Sequence, residues 1–190
     1  MTGEEALNFC IHKIPFNSVL DIGCGFGDHF NRFQQAGKQA TGVDIIDNGF
    51  NIVGNYLDTT LSPFDLIWAS HVLEHQLNVN LFLCKCYSDL NKNGYICITV
   101  PPLKHNIVGG HVTLWNAGLV LYNLVLAGFD CSNAKIKKYG YNISVIAQKG
   151  NFTLPALKYD NGDIELISQW LPKGYNYQNF NGDILEFNWQ

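Results

Sequence analysis

Val19-Leu-Asp21-Ile-Gly23-Cys24-Gly25-Phe-Gly27-Asp28 is the stretch on which the fold turns. It starts inside a short apolar run, residues 18–22, of the kind a buried parallel strand needs, and passes into a cluster of glycines. Helix-compatible sequence follows to about Ala36, where Gly37 can end it. Glycines at a strand-to-helix turn let the backbone approach a ligand with no Cβ in the way, and the start of the helix supplies free N–H groups. A turn built for pyrophosphate would carry a third glycine where this chain has Asp28. With Asp21 before the first glycine as well, the turn suits a ligand bearing positive charge better than one bearing phosphates.

Working outward, Gln39-Ala-Thr-Gly-Val43 reads as a second strand ending at Asp44, where an acid can accept both hydroxyls of a ribose. Only residues 45–50 separate it from a third strand at 51–55, too few for a full crossover helix. A fourth strand covers 64–69, a helix 77–90, a turn 91–94 and a fifth strand 95–100. Pro101-Pro102 then open a long loop, and long loops in compact domains tend to be functional. Asn116 can cap a helix running to Ala127, and strands at 132–139 and 142–148 form an antiparallel hairpin around Gly140. Strand–helix alternation of this kind predicts an α/β fold with a mostly parallel sheet. We divide the chain into a domain over 1–150 and an Asn-, Gly- and aromatic-rich appendage over 151–190, with helix-like sequence near 163–170. The tail's two Asn-Gly-Asp-Ile segments, at 161–164 and 181–184, do not amount to a repeat.

The bulk properties narrow the function. The chain has 190 residues, 47% hydrophobic and 15% charged, which suits one folded domain with a real core. Twelve basic residues against 16 acidic give a net charge of −4, with no basic stripe, so nucleic acid is not expected as a partner. No apolar run reaches the length of a membrane span, and the start of the chain lacks a secretion signal. Six scattered cysteines, with Cys84-Lys85-Cys86 at the wrong spacing for a CxxC motif, read as reduced thiols and predict a cytoplasmic protein.

Taken in order, VLDIGCGFG, GVDI, FDLIWASHVLEH and LNKNGYICITVPP resemble the successive motifs of class I S-adenosylmethionine (SAM)-dependent methyltransferases. The later HVTLWNAGLVLYNLVLAGF resembles the segment that follows them in small-molecule and sugar-modifying members, and the likeness runs from about 17 to 149. The resemblance implies a Rossmann-like, doubly wound sheet of about seven strands, order 3-2-1-4-5-7-6, the last strand antiparallel. It implies SAM as cofactor and S-adenosylhomocysteine as product. Asp21, Gly23, Cys24 and Gly25 would border the methionine end, Asp44 would hold the ribose, and Ile45 would lie against the adenine. Asn55, Tyr56 and Leu57 would reach the adenine edge, although the shortened segment before them leaves the register open. Ser70 and His71 would lie by the transferable methyl group.

His71-Val-Leu-Glu74-His75 also spells the H-x-x-E-H zinc pattern. That pattern belongs inside a helix, whereas here it follows a strand; a third ligand is needed, and nothing in the sequence singles one out, so no metal is expected. The plainer alternative is that Glu74 and His75 begin the next helix. His105 and His111 lie in the long loop after the fifth strand, where a histidine of near-neutral pKa could take an acceptor's proton. His111 is the first candidate base and His71 the second.

The expected reaction is SN2 transfer of a methyl group to an oxygen or nitrogen of a small molecule, with a sugar or polysaccharide intermediate preferred by analogy. The alternatives are a non-catalytic SAM-binding module and an NAD-dependent oxidoreductase, the latter disfavoured by Asp28. The short N-terminal segment and the missing helix between strands two and three predict an open site. The site stays open unless the tail, or a second subunit in a homodimer, covers it.

Overall fold

The computed structural model describes residues 2–178 and 180–190. In chain order the elements are α1 (Glu4–Lys13), β1 (Ser18–Ile22), α2 (Asp28–Gln35), β2 (Gln39–Asp44), β3 (Ile52–Val53), β4 (Phe64–Ser70), α3 (Val79–Ser88), β5 (Leu90–Val100), α4 (Ala117–Leu126), β6 (Phe129–Tyr139), β7 (Asn142–Lys149), α5 (Asp163–Leu166) and β8 (Glu186–Phe187). They build one sheet of eight strands in the order 3-2-1-4-5-7-6-8. The pairs from β3 through β5 are parallel, and β7 runs antiparallel to both β5 and β6. This is the expected Rossmann-like order with one more strand at the edge.

Period-two alternation divides the strand residues between two cores. Leu20, Ile67, Ile96 and Ile98 face one side, against Phe82 and Leu83 of α3 and Val120, Leu121 and Leu124 of α4. Val19, Leu66, Trp68 and Cys97 face the other, against Ala6, Leu7 and Cys10 of α1 and Phe33 of α2. With both faces covered, the strands read as nearly continuous apolar runs. Each fully buried Leu or Ile contributes about 1.5–3 kcal/mol. All six cysteines are free, and all but Cys84 are buried.

Several boundaries differ from the sequence reading, each for a local reason. Asn91–Gly94 does not form a turn outside the strand. Strand β5 begins at Leu90 and carries these residues as an irregularity, the register jumping from Phe64↔Leu90 to Leu66↔Tyr95, with Asn93 at φ 63°. Strand β6 likewise starts at Phe129, with a second register shift between Asp130 and Lys135. The third strand shrinks to two residues, and α3 starts at Val79, capped by Asn78, whose side-chain oxygen accepts from the Leu81 amide at 3.0 Å. Glu74 and His75 therefore do not begin that helix; they close a separate 3-10 turn, Leu73–His75.

The tail wraps the sheet edge. Ile167, Leu171, Tyr177 and Ile184 join the core on the α3 and α4 side, and β8 pairs antiparallel with β6 through Ile136↔Phe187. Beyond it, Trp189 meets Phe9 on the opposite side, ring centroids 4.5 Å apart. Among the described residues no helix is long and apolar enough to cross a membrane.

Candidate active site

Neighbouring strands β1 and β4 end at the point where the chain order reverses, which in open α/β sheets is where ligands bind. The loop after β1 is held down by the Gly23 amide donating to the Val43 carbonyl at 2.8 Å. Gly23 sits at φ 67°, and a Cβ there would come within 2.7 Å of Val72 Cγ2, so only glycine fits. At Gly25, φ 51°, nothing lies within 4 Å of where a Cβ would be. The loop thus presents bare backbone to an open cradle.

Asp21, one residue before the end of β1, lies behind this loop, 1% exposed, and its Oδ2 has no hydrogen-bond partner. Burial, opposed by a hydrogen bond from the Phe30 amide and assisted by the nearby Asp44 charge, pushes its carboxyl up to about 8. A buried carboxylate in this state lacks a cationic partner. Asp44 is placed differently: its Oδ2 accepts from the Gly25 amide at 2.8 Å and its Oδ1 from the Ile46 amide at 3.0 Å. Each oxygen keeps a further lone pair for a ligand hydroxyl.

A cavity of about 320 Å³ opens beside the loop, and Gly23, Asp44, Ile45, Asn55, Tyr56 and His71 are among the residues that line it. Ile45 is 75% exposed at its rim. The Asn55 side chain caps the following 3-10 turn through the Leu57 amide, and the Tyr56 hydroxyl turns away to donate to Asp89 at 2.9 Å. Leu57 packs against the core and is not among the residues lining the cavity. The Cys24 sulfur turns toward Gly42, and burial pushes its thiol up to about 12. Ser70 Oγ is buried without a partner, close to Gly3 at the start of α1.

His71, directly after β4, adopts φ 57°, an uncommon conformation for a side chain of this size. Its Nε2 lies 2.9 Å from Asn142 Oδ1, an oxygen that also accepts from the Gly3 amide at 3.2 Å. The oxygen can only accept, so Nε2 carries the proton. Nδ1 lies 3.2 Å from the buried Glu74 carboxylate. Burial works against charging His71, but Glu74 and Asn142 outweigh it and raise its pKa above the ordinary imidazole value. Both ring nitrogens therefore face protein partners.

A second cavity, about 180 Å³, lies under the long loop after β5 and is lined by Pro101, Lys104, His111, Trp115 and Tyr141 among others. Lys104 Nζ sits 4.1 Å over the Tyr141 ring, and that ring stacks on His71 at 6.3 Å. His111 reaches across to His75, ring centroids 5.0 Å apart, whereas His105 is exposed and lines neither cavity. Sequence reasoning missed Asn142, which no motif marks, and missed that His75 belongs to the wall of the larger cavity.

A family model described as a methyltransferase domain matches residues 5–121. The chain belongs to this methyltransferase family. Among curated proteins it is 30% identical, over 97 residues, to the ubiquinone biosynthesis O-methyltransferase of Bradyrhizobium diazoefficiens, a match covering 43% of this chain and 38% of that protein. The chain therefore spans well under half of that relative's length. Among solved structures, a SAM-dependent methyltransferase from Archaeoglobus fulgidus superposes with a TM-score of 0.64 at 20% identity, over 78% of this chain and 95% of that one. The Burkholderia thailandensis 1,6-didemethyltoxoflavin-N1-methyltransferase, solved with S-adenosylhomocysteine, gives 0.66 at 17% identity, over 78% and 77%. These likenesses extend the methyltransferase fold across the sheet, beyond the segment the family model covers.

Proposed function

We propose that the protein transfers a methyl group from SAM to an oxygen or nitrogen nucleophile of a small molecule. The observation that carries this reading is the buried, unpartnered Asp21 Oδ2 behind the open Gly25 cradle, a geometry suited to the cationic amino-acid end of SAM. Asp44, with lone pairs left on both oxygens, would take the ribose hydroxyls, and exposed Ile45 would cover the adenine. When bound, SAM supplies an electrophilic methyl group on a sulfonium that leaves as a neutral thioether. The protein's part is then to align the acceptor with that methyl group and to exclude water.

His71 is engaged on both nitrogens, so it acts as a positioning residue at the end of β4. His111, in the wall of the second cavity, is the better placed group to take a proton from an acceptor hydroxyl. Oxygen is the favoured nucleophile because the curated relatives are named as O-methyltransferases. A sugar or polysaccharide intermediate is the acceptor class that the likeness of the 111–129 segment to sugar-modifying methyltransferases suggests. Calorimetric titration with SAM, S-adenosylhomocysteine and NAD tests the reading. Micromolar binding of the two sulfur ligands, weakened about 100-fold in Asp44→Ala and absent for NAD, is expected. Silence for both sulfur ligands on folded, cofactor-free protein would overturn it.

A further inference from the structure

The turn after β4 holds a group that methyl transfer as derived above does not use. Glu74 is fully buried, and no backbone amide or hydroxyl donates to either of its carboxylate oxygens, so that imidazoles alone face it. Leaving such a group without a counter-charge is costly, so whatever faces it matters. Two imidazoles do: His71 Nδ1 at 3.2 Å and His75 Nε2 at 3.9 Å, both from Oε1.

The His75 tautomer follows from its other nitrogen. Nδ1 lies 2.8 Å from the Gly110 carbonyl oxygen, which can only accept, so Nδ1 carries the hydrogen. In the neutral ring Nε2 then directs its lone pair at the Glu74 carboxylate. Two electron-rich groups set face to face invite a cation between them. An Nδ1–H donated to a backbone carbonyl is also the arrangement that orients most metal-binding histidines. His111 completes the set, because one ligand atom from each of Glu74, His75 and His111 lies within 4.8 Å of the other two. The loop that carries His111 is tied to this turn by its own backbone, the Val112 amide donating to the Glu74 carbonyl at 2.8 Å.

We propose that Glu74, His75 and His111 form a binding site for a divalent transition-metal cation, Zn²⁺ or Mn²⁺, between the two cavities. Two imidazoles and one carboxylate suit such ions and leave coordination positions open. Ligand atoms about 2.1 Å from a zinc ion lie roughly 3.4 Å apart, so the set must contract by about an ångström on loading. His111, on a largely exposed loop, can supply that movement. The sequence lacked a third ligand for its H-x-x-E-H pattern, and the fold supplies it from the loop after β5.

His75 lines the larger cavity and His111 the smaller, so the cation would be held between a wall of each. One consequence rests on the methyl-transfer reading: with the cation bound, His111 serves as its ligand and no longer as base, and an open coordination position would take a hydroxyl of the acceptor, or two adjacent oxygens, and ease loss of its proton to solvent. The site itself does not depend on that reading.

Chelator-stripped protein titrated with ZnCl₂ or MnCl₂ against a chromophoric chelator tests the proposal, with S-adenosylhomocysteine titrated into the same samples. One equivalent of cation is expected, bound at least about tenfold more weakly by His111→Ala and by His75→Ala, each confirmed folded by circular dichroism. Substoichiometric binding, or equal affinity in both variants, would overturn the site. Stoichiometric cation without S-adenosylhomocysteine binding would support the site and sink the methyl-transfer reading. Cofactor binding without cation would do the reverse.

Discussion

The glycine loop after β1 and the histidine turn after β4 lie at the ends of neighbouring strands, yet they are built by opposite means. The first is local. Gly23, Gly25 and Asp21 are consecutive or nearly so, and Asp44 reaches them from the adjacent strand with backbone amides as its partners. The second draws on distant segments: His71 leans on Asn142 from the hairpin, 71 positions away, and His75 on Gly110, 35 positions away. A site made from contiguous backbone can be read in one line of sequence. A site assembled from side chains on separate loops becomes visible only once the chain has folded.

The contrast can be broken first at Asp21. Its folded pKa of about 8 lies above the ordinary carboxylate value of 3.8, so between those limits the folded state holds a proton that the unfolded state has lost. The contribution of Asp21 to stability is therefore greatest at low pH and is lost as pH rises through this window. The loss is about 1.4 kcal/mol per pH unit at most. Denaturation of wild type and Asp21→Asn across pH 4–9 should show the variant gaining on the wild type as pH rises, most of the gain falling below pH 8. Parallel pH profiles would mean that Asp21 is not buried as described.

At the histidine turn the expected effect is on turnover. Replacing His111 with alanine should lower kcat about 100-fold while leaving SAM affinity within about twofold. A large loss of SAM binding would place His111 in the cofactor half instead. Smaller again is the effect expected at Gly23. A Cβ 2.7 Å from Val72 Cγ2, on a backbone at φ 67°, should cost Gly23→Ala about 2 kcal/mol in thermal or urea denaturation. A neutral result would show that the loop relaxes freely, and that its glycines serve the ligand alone.

How much was legible follows the same division. β1, its glycine loop, β2 and Asp44 were readable because an apolar run, a glycine cluster and a strand-end acid are contiguous signals. The two register shifts were not: Asn91-Lys-Asn-Gly94 has the composition of a turn, and only pairing with β4 draws it into β5 as an irregularity. β8 escaped notice because two residues carry no periodicity, and its place depends on the free edge of β6. Within the site, the occupation of both His71 nitrogens and the meeting of His111 with His75 depend on the hairpin and the long loop folding back over the strand ends. The spacing of H-x-x-E-H alone could not supply a third ligand.

The central claim is that Asp21 awaits a cation which SAM supplies, and proton release on binding tests it most directly. Titrating SAM at pH 7 in buffers of different ionisation enthalpy should reveal close to one proton released per SAM bound, because a cation beside Asp21 favours the ionised carboxylate. Asp21→Asn should abolish the release. Binding with no proton change in the wild type, or no binding at all, would contradict the account.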